Sequence, residues 1–144
     1  SHESLALYED MLEARGDDVD PRVAKRILEF RGRPSTDYLR LTYAQQNLVR
    51  AFWQHYRRYD AILAPTVPIL PPLISSLKTD EAYYKANGFC LRNTSLFNFL
   101  KGPAVSVPCA STSDDLSVGL MIATAPNMEK LALTIAAWVE QETR

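Results

Sequence analysis

Apolar residues recur at helical spacing through the first part of the chain and in short unbroken runs further on. Residues 3–59 therefore read as helical. A first helix over 3–14 carries Leu5, Tyr8 and Leu12 on one side with Met11 beside them, and Gly16 supplies its stop. Asp20 followed by Pro21 reads as an N-cap with proline in the first turn; Val23, Ile27 and Phe30 follow, and Gly32 ends the segment. Ser35 is positioned to cap a long third helix through Tyr38, Leu41, Leu48, Val49, Phe52 and Tyr56. Its other face, with Arg40, Gln46, Arg50, Arg57 and Arg58, reads as a solvated surface.

The pattern changes at Tyr59-Asp60. Ala61 to Ala64 is a short apolar run stopped by Pro65, which suits a buried strand. Pro65, Pro68, Pro71 and Pro72 then impose an extended, stiff loop. Asp80 is expected to cap a helix that runs to about Leu91, while 93–100 fits either more helix or a turn. Ala104 to Val107 reads as a strand ending at Pro108, and Thr112 to Asp115 as a turn. Val118 to Ala123 is a second continuous apolar strand, the kind found in sheets covered on both faces. After the turn at 125–127, Asn127 is positioned to cap a last helix carrying Met128, Leu131, Ala132, Ile135, Trp138 and Val139. No repeat, low-complexity stretch or interdomain linker interrupts the order.

Composition adds limits. The 144 residues are 47% hydrophobic and 23% charged, within the globular range. Sixteen Lys+Arg against seventeen Asp+Glu give a net charge of -1, so no broad basic field for nucleic acid or anionic lipid is expected. The longest apolar run, 131–139, is far short of the ~20 residues that span a bilayer. The first residues lack the charged and apolar regions of a secretory signal. Cys90 and Cys109 are too few for a disulfide scaffold and read as reduced thiols, in keeping with a cytoplasmic location. With two histidines, His2 and His55, and no paired metal-ligand motif, no metal site or cofactor is expected.

Candidate chemistry is sparse. A nucleophile needs a base and an orienting group. Ser75 and Lys78 satisfy a Ser-x-x-Lys spacing, but the companion motifs fail: Lys78-Thr79 runs into Asp80, and Ser113-Asp114 into Asp115. Cys90 has no histidine near it in sequence. The acidic pairs Asp17-Asp18 and Asp114-Asp115 fall in turns without a calcium-loop pattern, and the five glycines are scattered. The residues by themselves assemble no catalytic centre.

Several strings, taken in order, resemble the C-terminal portion of amidase-signature enzymes. Gly32-Arg33-Pro34-Ser35-Thr36-Asp37-Tyr38 is similar to that family's Gly-x-x-Ser-x-x-Tyr helix start. Tyr59 to Thr66 resembles its "yDvLltPt" strand and proline loop. Leu91 to Asn98 followed by Gly102 to Pro108 is similar to "Nt..fN..g.PaisvP", and Leu116 to Ile122 to "lPvGlqli", with Glu129 near the start of the closing helix. Ser117 stands where proline is usual and Met121 where glutamine is common.

The resemblance implies an α/β fold: the C-terminal part of an α/β/α sandwich with a mixed sheet, helices at both chain ends, and residues 1–144 forming one segment of a single domain. It implies an intact enzyme that hydrolyses carboxylic amide C–N bonds in small-molecule substrates with a Ser–cis-Ser–Lys triad. That triad and its Gly/Ser-rich signature belong to the region preceding the one matched, and no Gly-Gly-Ser-Ser-Gly-Gly string is present. This chain, roughly the last third of such an enzyme, is expected to carry no catalytic residue and to be inactive alone. The family's helix ahead of "Nt..fN" lines the acyl or leaving-group channel. Carried over, its inward positions are Tyr84, Asn87 or Gly88, Leu91 and Ser95, with Thr66 at a strand end as a further candidate. Gly88 in mid-helix fits a close neighbour or a kink. Asn93 and Asn98 read as structural amides. Strands taken from a wider sheet leave open edges, so self-association as a homo-oligomer is expected, without nucleic acid or membrane partners. Two alternatives stay open. One is a non-catalytic binding or accessory module derived from an amidase. The other is part of a glutamyl-tRNA amidotransferase of the same family, although the acidic "Dp…y..D" segment usual in that branch is missing here.

Overall fold

The apolar run near residue 120 is the centre of the architecture. In the computed structural model, which describes residues 2–113 and 116–143, it forms β3 (Ser117–Ala123). β1 (Ile62–Pro65) and β2 (Ala104–Ser111) flank it in the order β1-β3-β2, and both pairings are antiparallel. Ala123 lies opposite both Ile62 and Ala104, and Ile122 opposite both Leu63 and Val105. The helices are α1 (His2–Arg15), α2 (Pro21–Leu28), α3 (Ser35–His55), α4 (Asp80–Phe99) and α5 (Glu129–Glu142).

Side chains alternate across a strand, and this alternation makes two cores. Met121 and Ala123 share one face with Ile62 and Ala64, packed against Phe97 and Leu100 at the end of α4 and Phe52 and Trp53 of α3. Leu120 and Ile122 share the other face with Val105 and Val107, packed against Ile135, Ala136 and Val139 of α5. Helices thus cover both faces of the sheet, the α/β layering expected of a continuous apolar strand.

The chain divides into two compact units, Ser1–Ala44 and Gln45–Arg144. In the first, Leu12 is buried. Arg31 reaches back to Glu9 and Glu13, 2.7 Å from each, on successive turns of α1. Asp20 caps α2 as expected, accepting the Arg22 backbone N–H at 2.9 Å ahead of Pro21. The Arg22 guanidinium hydrogen-bonds the same carboxyl and, with that N–H, holds its pKa down to about 2.

Several boundaries differ from the sequence expectations. α4 is capped by Thr79, whose hydroxyl accepts the Ala82 N–H at 3.2 Å; Asp80 and Glu81 occupy the first turn instead, where the helix dipole favours acids. The segment after Leu91 continues as helix to Phe99 and stops in a Schellman turn. Lys101 adopts φ 54°, its N–H bonds the Asn98 carbonyl, and the Gly102 N–H bonds that of Phe97. β2 does not end at Pro108. A bulge at Cys109 shifts the register from Pro108↔Gly119 to Ala110↔Val118 and the strand goes on to Ser111; proline is tolerated on an edge strand beside a bulge. Asn127 does not cap α5. It sits at φ 65° in the preceding turn, a conformation asparagine tolerates, and Met128 takes the cap position without a side-chain bond. Thr124, fully buried, closes this turn by donating its hydroxyl to the Met128 carbonyl at 3.1 Å. Asp114 and Asp115 lie outside the described residues.

Candidate functional site

The proline that ends β1 hands the chain to Thr66. The Thr66 N–H still bonds the Gly119 carbonyl at 2.8 Å, extending the ladder one residue past the strand. From α4, the Asn93 side-chain amide donates to the Pro65 carbonyl at 2.7 Å. Asn93 is therefore structural, as expected: it ties the start of the proline loop to the helix. Fixed between these two bonds, Thr66 continues the face that carries Ile62 and Ala64.

Ser106, on the same face of β2, reaches toward Thr66 across β3. Their hydroxyl oxygens stand 2.6 Å apart, a strong hydrogen bond between residues 40 positions apart. The residue under this pair is Gly119. A Cβ placed there would lie 2.6 Å from Ser106 Oγ and 2.9 Å from Thr66 Oγ1. Glycine is thus required at this position of the apolar strand for the two hydroxyls to meet.

Two hollows adjoin the pair. The larger, about 730 Å³, runs between the proline loop and the sheet and is walled by Ile69, Leu70, Pro71 and Val118, with Cys90 of α4 opposite. The smaller, about 390 Å³, lies on the side of Phe97, Asn98 and Met121. Thr66 and Ser106 border both. None of the residues lining either hollow is Asp, Glu, Lys, Arg or His. Within these linings the pair meets no side chain that could draw its proton, as activation of a nucleophile requires.

Of the residues singled out in the sequence, Thr66 lines the cleft. Tyr84 and Asn87 are half-buried, and Gly88, Leu91 and Ser95 are exposed on α4, outside the lining of either hollow. A Cβ at Gly88 meets no atom within 4 Å, so no close neighbour among the described residues explains the glycine. Asn98 borders the smaller hollow. Ser75 and Lys78 are not part of either lining; Ser76, between them, donates its hydroxyl to the Leu73 carbonyl at 2.6 Å. His55 stacks edge-on against Tyr56. Among the described residues no cluster of three His, Cys, Asp or Glu side chains could hold a metal ion, and no helix is long and apolar enough to cross a membrane. Sequence reasoning missed Ser106 and Gly119. The available signal was a glycine inside an apolar strand, which marks a bulge or a close approach.

The family model described as Amidase matches residues 2–133. The 2-amino-5-chloromuconic acid deaminase of Comamonas testosteroni is 30% identical over 122 residues, covering 85% of this chain and 26% of that protein. A glutamyl-tRNA(Gln) amidotransferase subunit of Halobacterium salinarum is 32% identical over 139 residues, covering 92% of this chain and 32% of that one. A crystal structure of an amidase superposes with a TM-score of 0.82 at 22% identity, covering 99% of this chain and 33% of the other. The chain thus spans about a quarter to a third of the length of these proteins.

Proposed function

This chain belongs to the amidase family, and from that premise we propose that it is the C-terminal segment of an enzyme that hydrolyses carboxylic amide C–N bonds. The match over residues 2–133 is the observation that carries this reading. Both compact units are read as parts of one amidase-signature domain. Amide hydrolysis needs a nucleophile, a proton relay and donors for the developing oxyanion. No lining residue of the cleft offers a base, so the segment's part is binding and positioning. Thr66 supplies one wall of the substrate channel. The α4 positions Tyr84, Asn87, Gly88, Leu91 and Ser95, on a face that does not border the Thr66 cleft, are read as a second, separate part of the channel; the exposure of Gly88, Leu91 and Ser95 supports a surface open to a ligand. The free thiols Cys90 and Cys109 suit a reducing, cytoplasmic location.

The coding frame ahead of Ser1 tests the reading. It is expected to continue into a Gly/Ser-rich stretch with an upstream lysine. A start codon directly before Ser1 would contradict it and favour a stand-alone accessory module.

We also propose that the isolated chain self-associates. β1 and β2 are the two edges of the sheet, neither with an outer partner strand among the described residues. Leu63 on β1 and Leu70, Leu73 and Ile74 beyond it are each more than half exposed. Open edges beside apolar surface favour pairing with another copy. Light scattering is expected to report a dimer or larger species; a monomer at high concentration would contradict this.

A further inference from the structure

We propose that Asn87-Gly88, in the weakly held first half of α4, is a site of spontaneous deamidation, gated by local opening of that helix, at which Asn87 becomes isoaspartate and aspartate. The inference is independent of the amidase reading; it needs only the pair, the helix around it and water.

The chemistry is intramolecular. The Gly88 backbone nitrogen attacks the Asn87 side-chain carbonyl carbon and loses its proton as the ring closes. The Cγ–Nδ2 bond breaks, ammonia leaves, and a five-membered succinimide joins the two residues. Water then opens the ring at either carbonyl. One product is aspartate in the normal chain. The other is isoaspartate, whose main chain runs through the former side chain. Glycine admits this attack best, because no Cβ shields its nitrogen and its backbone turns freely. Of the five asparagines, only Asn87 precedes a glycine.

The fold decides when the attack is possible. A helical ψ near about −42° aims the next backbone nitrogen away from the asparagine side chain. The helix ladder also holds that N–H on a carbonyl four residues back. Closed helix is therefore protected, and opening exposes it. α4 is anchored at its far end: Phe97 is buried, Asn93 donates to the Pro65 carbonyl at 2.7 Å, and Gln45 donates to the Phe99 carbonyl at 2.8 Å. No residue of α4 before Asn93 is buried. Glycine at position 88 weakens the helix further. Segments with so few buried contacts open locally at low cost. At the site itself nothing obstructs the reaction. Gly88 is exposed, a Cβ there meets no atom within 4 Å, and the Asn87 amide makes no hydrogen bond among the described residues. Both products carry a carboxylate that is ionised at neutral pH. Isoaspartate also adds a main-chain carbon, which breaks the hydrogen-bond spacing of the helix.

Trypsin makes the proposal measurable. Cleavage after Lys85, Arg92 and Lys101 isolates Asn87 in the peptide 86–92 and places Asn93 and Asn98 together in 93–101. The 144-residue chain is aged in mildly alkaline buffer, with and without urea, and both peptides are followed by mass spectrometry. Isoaspartate is counted with an isoaspartyl methyltransferase and labelled S-adenosylmethionine. In the folded chain, 86–92 is expected to convert at least about tenfold faster than 93–101, yielding both products. Urea is expected to speed conversion of 86–92 by about tenfold to hundredfold, the protection a local opening removes. Gly88→Ala shields the nitrogen and strengthens the helix, and is expected to slow conversion in the folded chain by at least about tenfold. Circular dichroism checks that this variant folds, and the wild-type comparison needs no variant. Equal rates in the two peptides of the folded chain, conversion in urea alone, a rate unchanged by urea, aspartate without isoaspartate, or an unchanged rate in the folded alanine variant would overturn the proposal.

Discussion

Ile122→Ala is expected to lower the free energy of unfolding by about 2–5 kcal/mol, a large share of the ~5–15 kcal/mol typical of a domain. Ile122 is completely buried at the middle of the central strand. It lies between Leu63 and Val105 on the neighbouring strands and packs with Val107 and Ala136. Truncation removes apolar contact from every side and leaves a space that paired strands cannot close. Urea denaturation measures the effect, with a lower midpoint and an unchanged slope. Ile122→Val, which keeps most of the volume, is expected to cost about 0.5–1.5 kcal/mol. A loss below about 1 kcal/mol for the alanine variant would mean that β3 is not the core strand.

Gly102→Ala is the second large effect, an expected loss of about 1–3 kcal/mol. A Cβ at Gly102 would stand 2.7 Å from both the Thr124 carbonyl oxygen and the ring of Trp53. Neither neighbour is free to yield. Thr124 is backbone-bonded to Pro103, and the Trp53 indole N–H donates to the Leu100 carbonyl at 2.9 Å. Gly88→Ala is the control in the same chain. With open space at that position and the better helix propensity of alanine, it is expected to gain about 0.5–1 kcal/mol. Parallel denaturation curves of the two variants check the contrast; a Gly102 variant as stable as wild type would contradict the close approach.

The strands and helices were legible because each follows from local pattern. The unbroken apolar run of β3 announced a doubly covered sheet, and Asp20-Pro21 announced the start of α2. What failed locally failed between near-equal choices. Thr79 and Asp80 are both able to cap a helix. Thr79 takes the cap, and Asp80 gains from the dipole one residue on. Asn127 has a capping side chain, but the turn needs a positive φ and uses asparagine for that instead. The bulge at Cys109 depends on pairing with β3, which no run of residues within β2 reveals.

The cleft was less legible for the same reason. Thr66, Asn93, Ser106 and Gly119 come from four separate segments, and each is ordinary in its own. Only the register of β1 and β2 on β3 brings the two hydroxyls over the glycine. Its place at a strand end pointed to Thr66, and resemblance to a family pointed to the α4 face from Tyr84 to Ser95. The geometry adds Ser106 and Gly119 and turns a neighbouring face of α4, that of Cys90, Asn93 and Phe97, toward the sheet.

On the proposed reading, this chain contributes part of the substrate channel of a larger amide hydrolase and is expected to cleave no amide by itself. Ammonia release from acetamide, benzamide and octanamide by the purified 144-residue polypeptide tests this most directly. The expected result is release no faster than the buffer blank at every concentration. Release above the blank that a serine-directed reagent such as phenylmethylsulfonyl fluoride abolishes would contradict it.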